Sequence, residues 1–393
     1  MTPTIGSVYE GGQAEMLERL QALPPAVRLA DGRMLLARAE VALAAFKDPA
    51  SRSEFPSRRF VTKGLRGSRA DSVARALLSR DPPAHTELRS AAAPLYGARA
   101  IAPSVQHGVN VVCNRLAERV HDSPARVALL HDALADLPYL INGRVVGVDQ
   151  ALLDEALPHI HTIEAASRNP DPHIQRQGDF AADTLRRLVA HALAGECHED
   201  TVLGRLQRLS RRSCDLDQLD FVDNAKAMLF AGAEETQALL AGTLYRALAG
   251  VATPPRAITE VLRDQPPIRH ALRYLAEDLL VGSLCIPAGN VVLIPLALLT
   301  SVRSSLGDVS KPIKEEDEDT GWRRAYGFGR HRCLGMHLAQ QAVETTTDRV
   351  LRMLNGHVRE VEPVPLYSGP VQGLADVVVC LQHVIGTVAQ ESP

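Results

Sequence analysis

The 393-residue sequence lacks the paired cysteine spacing of a disulfide-stabilised secreted protein. Its six cysteines are scattered, at positions 113, 197, 214, 285, 333 and 380. Lys and Arg number 43 against 46 Asp and Glu, so the net charge of −3 provides no basic field that would attract nucleic acid. We therefore expect a reduced, cytoplasmic setting and no nucleic-acid partner.

Long apolar runs are also missing. The longest apolar stretch, 291–299, is interrupted by Pro295, and residues 1–12 are polar and unlike a signal peptide. No membrane partner is expected. The sequence also shows no internal repeat and no interdomain linker, which predicts one domain spanning residues 1–393.

Local patterns predict a mainly α-helical fold with small β-sheets. The expected elements are a hairpin at 26–36, helices through most of 83–250 with a break at 168–172, strands at 278–300, a solvated loop at 303–325, a helix at 334–351 and short strands at 357–386. The run 219–248 contains no proline, which predicts one helix about 45 Å long at 1.5 Å per residue.

Cys333 lies in the glycine-rich stretch Tyr326–Gly335. Its glycines allow positive φ angles and a close approach of the backbone to a flat ligand. The three preceding residues, 330–332, are basic and favour a thiolate, as does the N-terminus of the helix predicted after Cys333. A thiolate held in this way is either a reactive nucleophile or a metal ligand.

The same stretch resembles the haem-binding loop of the cytochrome P450 family, Phe-x-x-Gly-x-x-x-Cys-x-Gly. Tyr326, Gly329, Cys333 and Gly335 stand at the motif positions. Tyr326 replaces the family's Phe and adds a hydroxyl that can hydrogen-bond near the sulfur. The resemblance implies haem b with Cys333 as its axial thiolate, and with Phe328 and Gly335 beside the cofactor.

Other stretches match the family in the expected order. Residues 81–89 resemble its Asp-Pro-Pro-x-His-x-x-x-Arg segment, in which His85 and Arg89 share a helix face. Together with Arg273 and His331, these two residues are implied to hold the two haem propionates.

Glu260 and Arg263 resemble the Glu-x-x-Arg pair of the family's K helix. The resemblance implies that they form a buried structural ion pair behind the haem loop. Such a pair supports the fold and takes no part in the chemistry.

Residues 231–236 resemble the family's Ala-Gly-x-(Asp/Glu)-Thr, whose acid and alcohol deliver protons for oxygen activation. In one register, Glu234 takes the place of the acid and Glu235 that of the alcohol. In a second, Glu235 and Thr236 form the pair. We prefer the first because Ala-Gly is the commoner start. At least one glutamate is expected on the oxygen side of the haem, where it donates protons if burial raises its pKa.

The family's substrate pocket combines the loop near 55–75, the helix pair around 155–185 and residues above the haem. The residues implied above the haem are Phe230, Ala233, Ile268, His270, Ala271, Val371 and Gln372. His270 is the unusual member of this set. It can bind a polar substrate, bind a propionate or serve neither.

The first functional hypothesis is a monomeric haem-thiolate monooxygenase that oxidises a specialised metabolite. Electrons would come from ferredoxin and ferredoxin reductase, and the basic residues around the cysteine loop suit an acidic ferredoxin. These residues are Arg323, Arg324, Arg330 and Arg332. Two alternatives remain open: a catalyst of oxidative coupling, cyclisation or desaturation, and a haem protein that binds a ligand without turnover.

Overall fold

Helices account for most of the structure, a computed structural model that describes residues 2–11, 13–56, 67–122, 125–300, 321–366 and 371–382. This confirms the expected fold class, mainly α with small β-sheets. Most of the predicted loop at 303–325, with its acidic run 314–319, lies outside the described residues. Within the described ranges, every helix is too short or too polar to cross a membrane.

The helices have the following bounds along the chain. They are α1 (Ile5–Tyr9), α2 (Gln13–Ala22), α3 (Ala39–Lys47), α4 (Gly67–Arg75), α5 (Ala84–Ala92), α6 (Ala98–His121), α7 (Leu137–Val146), α8 (Gln150–Arg168), α9 (Pro172–Ala194), α10 (Val202–Ser210), α11 (Gln218–Phe230), α12 (Ala233–Leu248), α13 (Pro254–Asp264), α14 (Leu296–Thr300) and α15 (Met336–Leu354). The predicted break at 168–172 is confirmed between α8 and α9.

Ten short strands form a five-stranded sheet, a three-stranded sheet and a hairpin in the described residues. They are β1 (Ala26–Arg28), β2 (Met34–Leu36), β3 (Ser51–Arg52), β4 (Arg126–Ala128), β5 (His270–Leu275), β6 (Leu279–Val281), β7 (Leu284–Ile286), β8 (Val291–Pro295), β9 (Val358–Leu366) and β10 (Gly373–Leu381). The larger sheet has the order β1-β2-β8-β5-β3, and the smaller one β4-β10-β9. The hairpin predicted at 26–36 is confirmed, with Gly32 at a φ of 89° in its turn.

The cysteine loop lies where two hydrophobic cores meet. The larger core is built mainly from α5 to α12 and α15, and Tyr326 and Leu334 pack against it. A second core covers one face of the five-stranded sheet, and Phe328 packs against that one. Because both cores contribute to its surroundings, the loop is held from two sides.

The long helix predicted at 219–248 is wrong in one respect, because the chain leaves the helical conformation at residues 231–232. Gly232 has a φ of 74°, which ends α11 and starts α12 in a new direction. A residue with a side chain would pay roughly 1–2 kcal/mol for this left-handed conformation. The carbonyl of Ala231 is freed by the break and accepts a hydrogen bond from Asn142 Nδ2 at 3.2 Å.

A buried charge network of Ser72, Arg186, Asp223 and Lys226 joins α4, α9 and α11. The carboxylate of Asp223 is fully buried and accepts hydrogen bonds from Ser72 Oγ and from Arg186 Nε and Nη2, each at 2.9 Å. It also lies 3.2 Å from Nζ of the buried Lys226, which donates to Ser72. The network therefore fixes α9 against α11.

Candidate active site

The backbone of the cysteine loop presents the Cys333 side chain at the start of α15. Gly327 and Gly329 take φ angles of 73° and 65°, so the chain turns twice within three residues. The N–H of Cys333 then donates to the carbonyl of Tyr326 at 2.8 Å and closes the loop. Gly335 caps α15, which begins close to the predicted helix start.

The sulfur of Cys333 opens onto an internal cleft. Its surface is accessible, yet the protein around it is dense enough that burial raises the pKa of the thiol. The N–H of Gly335 and the charges of Arg89 and Arg332 lower the pKa, and Glu235 raises it. Of the basic residues 330–332, Arg332 acts in the expected direction, and burial is the larger influence on the thiol.

Tyr326 does not supply the expected hydrogen bond to the sulfur. Its hydroxyl is buried and has no hydrogen-bond partner among the described residues. Burial and the nearby Cys333 raise the pKa of this phenol. The ring instead packs edge-on against Trp322, with centroids 6.5 Å apart.

The first turn of α12 carries Glu235, whose charge acts on Cys333. Glu235 is partly accessible, and its pKa is raised by burial and by the charge of Glu234. Ala233 and Thr236 lie in the packed core on another face of the helix. The structure thus turns Glu235 toward the cysteine and Thr236 away from it. Both registers stay predictions, as does the placement of Ala233 above the haem.

Four cationic or hydrogen-bonding side chains surround the cleft beside Cys333. The rings of His85 and His331 lie 4.3 Å apart between centroids, and Nε2 of His331 is 3.2 Å from Asp81. Arg89 Nη2 donates to the carbonyl of Arg332 at 2.8 Å. Arg273 lies over the ring of Phe46 at 5.0 Å. The predicted set of His85, Arg89, Arg273 and His331 is therefore gathered in one place.

These side chains fit a flat ligand that carries two carboxylates and a metal. Nε2 of His85 is buried without a partner among the described residues, and burial lowers the pKa of this ring to about 4. Burial likewise lowers the pKa of Arg273 to about 10. A buried guanidinium and a buried ring nitrogen are suitable partners for anions, and the cysteine sulfur is a suitable iron ligand. The residues thus fit haem b.

Four of the residues implied above the haem, namely Phe230, Ile268, Val371 and Gln372, lie in two separate parts of the structure. Ile268 bridges to Val371, and Gln372 is tied to the carbonyls of Pro266 and Pro267, so this segment is well anchored. Phe230 ends α11 just before the helix break and packs against the larger core.

His270 does not join that group. Its ring packs against Tyr9 at 5.7 Å between centroids, and burial lowers its pKa to about 4. Successive residues of a strand point to opposite faces, so His270 and Arg273 of β5 point to different sides. If Arg273 faces a propionate, His270 therefore faces away from it, and its role stays a prediction.

The expected buried ion pair between Glu260 and Arg263 is wrong. Among the described residues, Glu260 pairs with Arg246 at 3.0 Å and with Arg256 at 2.7 Å. The glutamate is also partly exposed, and its hydrogen bond with Arg256 lowers its pKa. Glu260 stands four residues after Arg256, so the two side chains lie on the same helix face, and Arg256 is not part of the Glu-x-x-Arg pattern.

Three ionisable residues near α12, Tyr139, Glu164 and Arg168, were not predicted from the sequence. Tyr139 Oη lies 2.9 Å from both carboxyl oxygens of Glu164, and Arg168 pairs with Glu234. The signal in the sequence was Glu164 itself, because it stands four residues after the buried Ile160 on the inner face of α8.

No protein-family model matches the chain. It is 24% identical over 336 residues to the cyclomarin C epoxidase CymV of Salinispora arenicola, covering 81% of this chain and 84% of that protein. It is 27% identical over 315 residues to the cytochrome P450 monooxygenase PikC of Streptomyces venezuelae, covering 76% and 74%. The solved structure of epothilone B-bound cytochrome P450epoK matches with a TM-score of 0.76 and 21% identity, covering 96% and 98%.

Proposed function

We propose that this chain, which belongs to the cytochrome P450 family and is a haem monooxygenase, oxidises a small molecule of specialised metabolism. The observation that supports the proposal is the glycine-rich loop that holds Cys333 at the start of α15, together with the charge of Glu235, which acts on the Cys333 thiol. Relatives named as a cyclomarin C epoxidase and as a 20-oxo-5-O-mycaminosyltylactone 23-monooxygenase support a natural product as the substrate.

The cleft residues divide the binding of haem b among themselves. Cys333 would supply the thiolate ligand of the iron, and Gly335 and Phe328 would help to hold the cofactor. The propionates would be held by His85, Arg89, Arg273 and His331. When bound, haem supplies an iron that uses dioxygen, two electrons and two protons to insert one oxygen atom into the substrate and release the other as water.

Glu235 would hold and pass the protons that this reaction consumes. A carboxyl group acts as a proton donor near neutral pH when burial raises its pKa, which is the direction for Glu235. Glu234 is engaged with Arg168 and lies on the side of α12 toward α8. Thr236 is buried in the core and is left with a packing role.

Substituting Glu235→Gln should therefore impair proton delivery without removing the fold. We expect product formation to fall by about 100-fold, the order of a general acid–base contribution, while substrate binding survives. Thr236→Val removes only the buried hydroxyl and should behave like the wild type. The measurement is product and hydrogen peroxide formed per NADPH consumed. Impaired product formation in Thr236→Val with normal product formation in Glu235→Gln would favour the second register. Full coupling of NADPH consumption to product formation in both variants would make substrate or water the proton source.

A separate ferredoxin and its reductase would supply the electrons. The basic residues proposed to receive the acidic ferredoxin lie around the cysteine loop, where Arg323 and Arg330 are exposed. The six cysteines, free of disulfides, suit the cytoplasm as the setting for such an electron chain. The substrate would enter beside Phe230, Ile268, Val371 and Gln372.

Oxidative coupling, cyclisation or desaturation is the second candidate reaction, favoured by a carboxylate where the family has an alcohol. The test supplies the haem-loaded protein with NADPH, ferredoxin, reductase and isotopically labelled dioxygen, together with a panel of natural products that includes cyclomarin C and epothilone B. One labelled oxygen atom in the product establishes monooxygenation. An oxidised product without label establishes the second candidate, and the absence of any product counts against both.

A further inference from the structure

A second group of ionisable side chains lies behind Glu235, on the side of α12 that meets α7 and α8. Tyr139 of α7 is buried, and its hydroxyl lies 2.9 Å from each carboxyl oxygen of Glu164 on α8. The ring of His161 packs edge-on against Tyr139, with centroids 5.3 Å apart. Tyr139 therefore fixes the position of the Glu164 carboxyl.

This group is joined to the first turn of α12. Arg168 stands one helical turn after Glu164 on α8 and forms an ion pair with Glu234. The charges of Glu234 and Glu235 both act on Glu164, and Glu235 in turn acts on Cys333. The three carboxyls thus form an electrostatically coupled series that begins at Glu164, between α7 and α8, and ends at Glu235, whose charge acts on Cys333.

The excess of carboxyl groups over cations in this series favours the protonated form of some of the carboxyls. Among the described residues, Arg168 pairs with Glu234 and its charge also lowers the pKa of Glu164, whereas the pKa of Glu235 responds to burial, a backbone hydrogen bond and the charge of Glu234. The ion pair of Arg168 with Glu234 leaves the other two carboxyls without a cation of their own, and an unpaired buried carboxylate is costly. Glu164 and Glu235 are therefore the members that keep protons.

Solvent can reach the outer end of the series. The side chain of Arg168 is 38% exposed and that of Glu234 is 25% exposed. Tyr139 and the inner face of α8 close the other side. A proton taken from water at this end therefore enters next to Glu164.

We propose that Glu164 is a positioning residue that reloads Glu235 with protons during turnover, an inference that rests on the proposed function. The O–H bond of the Glu164 carboxyl breaks, and its proton passes along the series to the Glu235 carboxylate. Glu235 becomes the acid and Glu164 the carboxylate, and water on the Arg168 side then returns a proton to Glu164. No electron moves in this exchange.

The proposal sets the direction of the pH dependence. Burial raises the pKa of Glu164 to about 7, its hydrogen bond with Tyr139 lowers it, Glu234 and Glu235 raise it, and Arg168 lowers it. Below this pH, Glu164 carries the proton that it passes on. Above this pH, Glu164 is deprotonated and has no proton to pass on, so oxygen reduction should yield more hydrogen peroxide.

Glu164→Gln tests the proposal, because glutamine still accepts a hydrogen bond from Tyr139 but carries no transferable proton. In the wild type, difference infrared spectroscopy should show a protonated carboxyl that titrates near pH 7, and this band should be lost in the variant. With NADPH, ferredoxin and reductase and no added substrate, peroxide formed per NADPH should rise several-fold below that pH and lose its pH dependence.

Two further variants separate proton supply from structure. Tyr139→Phe removes the hydrogen bond from Tyr139 to Glu164, which Glu164→Gln retains, and it keeps the carboxyl. Because that hydrogen bond lowers the pKa of Glu164, its loss should move the titration and the rise in peroxide formation to higher pH. Glu155→Gln, at an exposed position of α8, should match the wild type.

Three results would overturn the inference. One is a carboxyl titration near pH 7 that has the same amplitude in Glu164→Gln as in the wild type. The second is equal peroxide formation in this variant and the wild type at every pH. The third is identical behaviour of Glu164→Gln and Tyr139→Phe, which would make the pair merely structural. A wild type without NADPH-dependent oxygen reduction would instead refute the proposed function, whatever the infrared titration shows.

Discussion

Cys333→Ala is expected to abolish thiolate ligation of haem and all haem-dependent oxidation. The side chain is accessible within the cleft, so alanine leaves no cavity in a packed core. The backbone hydrogen bond that closes the loop, from the N–H of Cys333 to Tyr326, does not need the sulfur. The fold should therefore persist while the iron loses its protein ligand.

The measurement is the visible spectrum of the reduced protein with carbon monoxide, combined with haem content and NADPH-dependent turnover. Cys214→Ala is the matched control, because Cys214 is another exposed free cysteine. It should keep the spectrum and the activity of the wild type. An unchanged thiolate spectrum in Cys333→Ala would show that a different residue holds the iron.

Asp223→Ala should cause the largest loss of stability. Asp223 is fully buried, and its removal leaves Arg186 and the buried Lys226 without their shared anion. Breaking a buried ion pair in this way costs about 3–5 kcal/mol. Urea unfolding should show this loss, while the exposed Asp215→Asn should change stability by no more than about 0.5 kcal/mol.

A double substitution checks the cause of that loss. Asp223→Asn combined with Lys226→Met removes both buried charges and should recover much of the stability, because Arg186 is partly exposed and can turn to water. Burial already lowers the pKa of Lys226 below 10.5. The penalty in Asp223→Ala should therefore shrink as the pH rises toward that value, where the unfolded chain also loses the proton. A penalty that stays constant with pH would contradict this account.

Local motifs allowed much of the site to be anticipated. The cysteine loop and the His85–Arg89 helix face depend on residues a few positions apart, and their geometry follows from glycine conformations and helix periodicity. The structure gathers the predicted cationic side chains around Cys333. Their contacts with haem remain predictions.

What the sequence could not provide depended on contacts between distant segments. The side to which His270 points follows from the pairing of β5 with β8, and no pattern within the strand specifies it. Gly232 breaks the helix where Asn142 satisfies the freed carbonyl, and Asn142 is 89 positions away. The burial of Glu164 similarly requires Tyr139 of another helix.

The break at Gly232 also determines how motion passes through the protein. One continuous helix would transmit a displacement at Asp223 along its axis to Glu235. Two helices joined at a glycine can instead move independently of each other. A displacement of α9 would act on α11 through the ion pair of Arg186 with Asp223, whereas the first turn of α12 lies beyond the glycine. The ion pair between Arg168 and Glu234 is the remaining link from the α8–α9 pair to that turn among the contacts described above. We therefore expect a displacement of α9 to affect α11 more than the first turn of α12.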